Sequence, residues 1–182
     1  MIISYNFYYA RPGNAAAVLR QRLLASDVRA RLGLRRGRTL AKTGGDDDFP
    51  EVIWRLDFAD MVAQDADMKV RADSPEFESI RHGMRRLYRR FERPLYQPCG
   101  MGTVSMEKTL VLHGVYCVTG TSDAVRTVLQ PLAACEFMSG GHDIPRFIIE
   151  TGSAGLPQSV SLRLEGLAAR TTSSLWRVED SD

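Results

Sequence analysis

The sequence repeats itself weakly. Shifted by 108 positions, residues 2–57 fall on residues 110–165 without a gap. About a fifth of the pairs are identical, against roughly 6% by chance, which is the signature of a repeated structural unit. Matching pairs include Tyr8/Tyr116, Gly33/Gly141, Arg38/Arg146, Thr43/Thr151, Gly44/Gly152 and Arg55/Arg163. They fall where structure is demanding. Asn14 lies over Ser122, both good helix N-caps. Gly33 lies over Gly141, where a helix should stop in the left-handed conformation. Thr43-Gly44 lies over Thr151-Gly152, where a turn must join two strands.

Residue patterns assign elements to each copy. Residues 2–10 read as an aromatic strand ended by Arg11-Pro12-Gly13. Leu19, Leu23, Leu24, Val28 and Leu32 recur on a helical period and predict a helix over 15–32. Strands follow at 38–43 and 52–58. Ser74-Pro75-Glu76 is a helix start, with a cap, a proline in the first turn and an acid at the positive end of the dipole. Phe77, Ile80, Met84, Leu87, Tyr88 and Phe91 continue it as one long amphipathic helix, stopped by Pro94 and Pro98. A short strand fits between Leu95 and Met106. The second copy reads as a strand at 109–118, a helix at 122–138, strands at 146–150 and 160–165, and a last short strand at 175–178. The expected fold is therefore α+β: a ferredoxin-like βαββαβ unit over residues 1–106, duplicated in shortened form over 107–182.

Composition narrows the function classes. The 182 residues are 44% hydrophobic and 25% charged, with a net charge of +2. Such a chain has no global pull towards nucleic acid, and it contains no apolar run of membrane-spanning length. The N-terminus reads as a strand and lacks the pattern of a signal peptide. The three cysteines, Cys99, Cys117 and Cys135, fit no zinc or redox spacing and suit free thiols in a reducing cytoplasm.

The Tyr-rich first strand ending in Ala10-Arg11-Pro12-Gly13, the run Val52-Ile53-Trp54-Arg55-Leu56-Asp57-Phe58, and Asp73-Ser74-Pro75-Glu76-Phe77 leading into a helix carry a resemblance. The chain resembles the dimeric α+β barrel superfamily, and within it the antibiotic-biosynthesis-monooxygenase and NIPSNAP-type branches. The resemblance implies two ferredoxin-like units packed sheet to sheet around a small pocket. With a shortened second copy, it further implies a homodimer that covers the remaining sheet edge. The implied activity is that of a cofactor-independent monooxygenase acting on a small apolar or aromatic substrate. The alternatives are a non-catalytic ligand-binding or assembly protein, haem binding and degradation, and polyketide-type ring cyclisation.

Strand alternation supplies the candidate residues. Arg55 and Asp57 share one face of the third strand, opposite Val52, Trp54, Leu56 and Phe58. Arg163 and Glu165 repeat the pair in the second copy. Asn6 and Tyr8 share the more polar face of the first strand, and Tyr116 is the counterpart of Tyr8. Asn6, Tyr8, Arg55 and Asp57 are the expected catalytic set. In it Asp57 (or Glu165) accepts a proton and Arg55 (or Arg163) stabilises oxyanion charge. Tyr116, Arg163, Glu165, Trp54 and His82 form the expected ligand-binding set. No metal site is expected, because His82, His113 and His142 lie at no ligand spacing. The resemblance implies that haem, if bound, would use Asn6 on the first strand with His82 on the second helix. Arg81, Arg85 and Arg89 form a basic stripe expected to be a solvated or intersubunit face.

Overall fold

A computed structural model describes residues 1–104, 107–141 and 143–180. Among these residues nine strands and five helices run in the order β1 (Ile2–Ala10), α1 (Ala15–Arg31), β2 (Arg38–Gly45), β3 (Val52–Phe58), α2 (Met61–Ala72), α3 (Pro75–Arg85), β4 (Tyr88–Glu92), β5 (Leu95–Pro98), β6 (Thr109–Cys117), α4 (Ser122–Leu129), β7 (Ala133–Ser139), β8 (Phe147–Thr151), α5 (Gln158–Leu164) and β9 (Ala168–Asp180).

The strands close on themselves. Their order is β3-β2-β9-β6-β8-β7-β5-β1, and β1 pairs back to β3. The result is an eight-stranded barrel, antiparallel at every pairing. The ninth strand, β4, pairs with the far end of β1 and leads into β5 through Arg93-Pro94, where the Pro94 carbonyl accepts from the Tyr5 amide at 3.0 Å. Strands from the first half form one arc of the barrel and strands from the second half form the other.

This closed barrel replaces the expected fold. The chain is neither a duplicated ferredoxin-like unit nor one partner in a dimeric α+β barrel, because closure occurs within one chain. The sheet edge from which a second chain was inferred is used up by the β7–β5 and β9–β2 pairings. The repeat at a shift of 108 also fails. It lays β3 over α5, and it lays α1 over most of α4 plus all of β7.

Three local misreadings explain the failure. Val160, Leu162 and Leu164 alternate like a strand, but Pro157 opens a helix there. Val160 and Leu164 then share its buried side, while Leu162 is 57% exposed. The helix expected over 122–138 ends at Leu129, because Pro131 follows its cap and can neither donate nor fit in a helix interior. The long helix expected after Ser74 ends at Arg85. Leu87 bonds back to Met84, and its carbonyl accepts from the Arg11 amide, so the chain turns into β4. The last strand spans 13 residues, not four. The helix α2 was not anticipated, although Asp60 caps it by accepting from the Ala63 amide at 2.9 Å.

Two packed regions matter for function. Ile3, Tyr5, Phe7, Tyr9, Leu40, Ile53, Tyr96, Leu110, Leu112, Ile148 and Trp176 fill the barrel interior. Eight strands leave an interior just wide enough for side chains, and these residues fill it as a packed core. Outside it, Tyr8, Val52, Trp54, Leu56, Val18 and Met84 pack between the first arc and its helices. No helix is long and apolar enough to cross a membrane among the described residues.

Candidate functional site

Alternation along β1 and β3 sends the expected catalytic residues to two places. Tyr5, Phe7 and Ile53 point into the barrel, and Arg55 with Asp57 follows them. Asn6, Tyr8 and Trp54 point the other way, under the helices. The four residues expected to act together therefore form two separate groups.

The interior group sits at one end of the barrel. Glu150 of β8 accepts from Arg38 of β2 at 2.5 Å and from Arg55 at 3.0 Å, and Arg55 grips Asp57 with bonds of 3.0 and 3.1 Å. A cavity of about 150 Å³ lies beside them, bordered by Ile3, Tyr5, Cys135 and Ile148. Burial works against the charge on Arg55, but the carboxylates of Asp57 and Glu150 outweigh it and hold the guanidinium above its ordinary value. Burial pushes Tyr5 well up and Cys135 up to about 12, so both stay neutral. The two guanidiniums and two carboxylates satisfy each other across β2, β3 and β8. Such a network ties the three strands together.

The outer group lines a different space. A cleft of about 140 Å³ opens between β1, β4, α1 and α3. Its walls are Tyr8, Phe77, Ile80, Met84, Tyr88 and Phe91, joined by Asn6 and by arginines. The Tyr8 ring lies 5.1 Å from Phe91 and 6.0 Å from Tyr88, in tilted contacts. The Asn6 amide nitrogen donates to the Tyr8 hydroxyl at 3.3 Å, while the Asn6 carbonyl oxygen is buried with no partner. Arg22 of α1 reaches the same cleft. It is 2% exposed, donates to Ser26 Oγ at 3.0 Å, and leaves its Nε without an acceptor. Burial pushes the Arg22 guanidinium below its ordinary value, against the pull of the neighbouring Tyr8 oxygen. Burial likewise raises Tyr88. An apolar cleft with a few convergent, incompletely satisfied polar groups is the arrangement that takes small molecules.

The remaining expected residues do not join this cleft. Trp54 lies beneath it, with the Arg22 and Arg29 guanidiniums 5.0 and 4.9 Å from its ring and its indole nitrogen donating to the Arg36 carbonyl. Tyr116 sits at the far mouth of the barrel, with Arg170 4.0 Å over its ring. Arg163 lies on α5 and Glu165 just after it, both exposed. Glu165 borders an open groove beside His113. His82 is exposed on α3 and is not among the residues lining the cleft, whereas Asn6 is. His142 lies outside the described residues. Of the basic stripe, Arg81 and Arg85 line the cleft mouth, so this face is not simply solvated.

Sequence reasoning missed Arg22. It placed the buried side of α1 on the leucines, yet Leu24 is 49% exposed, and Val18, Arg22, Ala25, Ser26 and Arg29 face the sheet. A hydropathy pattern reads an arginine as solvent-facing, and no residue-level signal marks the exception.

No family model matches the sequence, and no curated protein matches it. The structure does resemble solved ones. An anthrone oxidase-like protein superposes with a TM-score of 0.65 at 10% identity, covering 100% of this chain and 92% of the other. A putative monooxygenase from Lactobacillus acidophilus NCFM gives 0.60 at 11% identity, covering 98% and 94%. A putative monooxygenase from Fusobacterium nucleatum subsp. nucleatum ATCC 25586 gives 0.55 at 8%, covering 98% and 92%. At these identities the chain shares a fold with proteins of those names.

Proposed function

We propose that this chain binds a small aromatic ketone or phenol in the cleft between β1, α1 and α3 and oxidises it with dioxygen, without a resident cofactor. The observation that carries the reading is the Asn6–Tyr8 pair set into an aromatic wall, with one end of the Asn6 amide unpartnered. The likeness to an anthrone oxidase-like protein supplies the probe. Anthrone plus O₂ gives anthraquinone plus water. The methylene loses four electrons, one oxygen atom becomes the new carbonyl, and the other leaves as water. The substrate enolate, formed when the methylene gives up a proton to solvent, is the electron source, so the protein need only favour that anion. The Tyr8 hydroxyl accepts from Asn6 and keeps its own hydrogen for the substrate oxygen, where charge develops in a site shielded from water. The aromatic rings hold the substrate plane.

The test is oxygen uptake with anthrone, with anthraquinone followed by absorbance. Tyr8→Phe should lower turnover by about 10²-fold, as loss of one oxyanion donor does, without loss of fold. Uptake no faster than the uncatalysed reaction would reject the enzymatic reading. A second reading, a non-catalytic carrier, rests on the absence of a carboxylate or histidine from the cleft wall among the described residues. Tight binding of anthraquinone without turnover of anthrone would favour it.

A further inference from the structure

The walls of the cleft contain five arginines, Arg22, Arg71, Arg81, Arg85 and Arg93, and no acidic residue among the described ones. Two of the five are paired elsewhere: Arg71 with Asp67 at 2.6 Å, and Arg81 with Glu78 at 2.6 Å. Arg22, Arg85 and Arg93 have no ion pair among the described residues. Arg93 instead lies 5.5 Å from the Phe91 ring and 3.9 Å from the Met68 sulfur.

Arg22 is the decisive member, and the same helix provides its control. Seven residues on, Arg29 is fully buried and is given a carboxylate, with Asp67 bound through both oxygens at 3.0 and 2.6 Å. There the fold meets the cost of burying a cation in the usual way. Arg22 is buried almost as deeply, yet it has only the hydroxyls of Ser26 and Tyr8 and the face of Trp54, with no carboxylate among the described residues. Its Nε has no acceptor and its side chain lines the cleft. A planar guanidinium with an unused Nε donor suits a planar carboxylate, a match that a lysine would lack. Tyr8, Phe77, Tyr88 and Phe91 around it require the rest of the ligand to be flat and apolar. Uncompensated charge at the mouth draws an anion inward.

We propose that the ligand of this cleft is an aromatic carboxylate, its acid group held by Arg22 and its approach favoured by Arg85 and Arg93. The proposal rests on the cleft being the binding site and adds the substrate's charge class.

The experiment is calorimetric titration of the full chain with 2-naphthoate and with its neutral counterpart 2-naphthamide. The wild type should bind the acid at least tenfold more tightly than the amide. Arg22→Met should abolish that preference, weakening the acid at least tenfold more than the amide. The pair Arg85→Gln and Arg93→Gln should weaken acid binding three- to tenfold, most at low ionic strength, and leave the amide unchanged. Equal affinity for acid and amide in the wild type overturns the proposal but leaves the cleft intact as a binding site. Binding of neither probe overturns both. Where Arg22→Met is unfolded by circular dichroism, the rim pair decides. A preference for the acid that responds to neither salt nor the rim substitutions contradicts the proposal.

Discussion

Asp67→Ala removes the carboxylate that makes burial of Arg29 tolerable. Arg29 is 0% exposed and Asp67 7%. Without Asp67, Arg29 keeps its bond to the Arg35 carbonyl at 2.7 Å and its place over Trp54, but an uncompensated charge remains inside the fold. Breaking a buried pair from one side costs about 3–5 kcal/mol. That is a large share of the roughly 5–15 kcal/mol that stabilises a domain. With a urea m-value of about 2.5–3 kcal/mol/M, the midpoint should fall by roughly 1–2 M. Urea unfolding followed by tryptophan fluorescence measures it. The internal control is Glu76→Ala, which breaks the Arg31–Glu76 pair with both side chains more than half exposed. It should move stability by less than about 1 kcal/mol. Arg29→Met combined with Asp67→Leu removes this pair but leaves Arg71, bound to Asp67 at 2.6 Å, without its carboxylate, so it should recover only part of the loss. An Asp67→Ala midpoint within error of the Glu76→Ala midpoint would refute the reasoning.

Two further predictions follow from buried groups. His113 is 4% exposed, lies between Ser173 at 2.7 Å and Thr151 at 3.0 Å, and is pushed down to about 4 by burial. The unfolded chain therefore takes up the proton first, so stability should fall as pH drops from about 6.5 towards 4. The fall should be on the order of 2–3 kcal/mol. Urea midpoints against pH should show this decline in the wild type and a flatter profile in His113→Gln; parallel profiles would contradict it. Cys135 is buried with its thiol pushed up to about 12. It should stay unmodified by Ellman's reagent at pH 8 until denaturant is added, as peptide mass mapping would reveal, whereas labelling in the native chain would count against its burial.

The sequence disclosed some elements for good physical reasons and concealed others. β1, α1, β2 and β3 were legible because strong alternation, Gly13 and Gly33 bound them. The second half was misread because short elements give ambiguous periods. In seven residues Val160, Leu162 and Leu164 fit a strand as well as a helix, and only Pro157 argues otherwise. A gapless self-alignment then turned one wrong period into a wrong architecture. The faces of β1 and β3 were separated correctly, but which face meets the barrel depends on closure, a long-range property. The more polar face of β1 was expected to line the interior. Instead Tyr5, Phe7 and Tyr9 fill it, and Asn6 with Tyr8 lies under the helices. Arg22 was invisible for a different reason: its burial follows from the packing of α1 on the sheet, which local hydropathy does not encode.

The central claim is that the cleft under α1 and α3 takes the ligand, and not the charged end of the barrel. Backbone amide chemical shifts recorded while titrating anthraquinone into the isotopically labelled chain test it most directly. The account predicts saturable shifts clustered at Asn6 and Tyr8 of β1, at Arg22 and Ala25 of α1, at Phe77 to Met84 of α3 and at Tyr88 to Phe91 of β4. The amides of Arg55, Asp57, Cys135 and Glu150 should stay still. Shifts centred on those four residues, with the cleft unmoved, would contradict it.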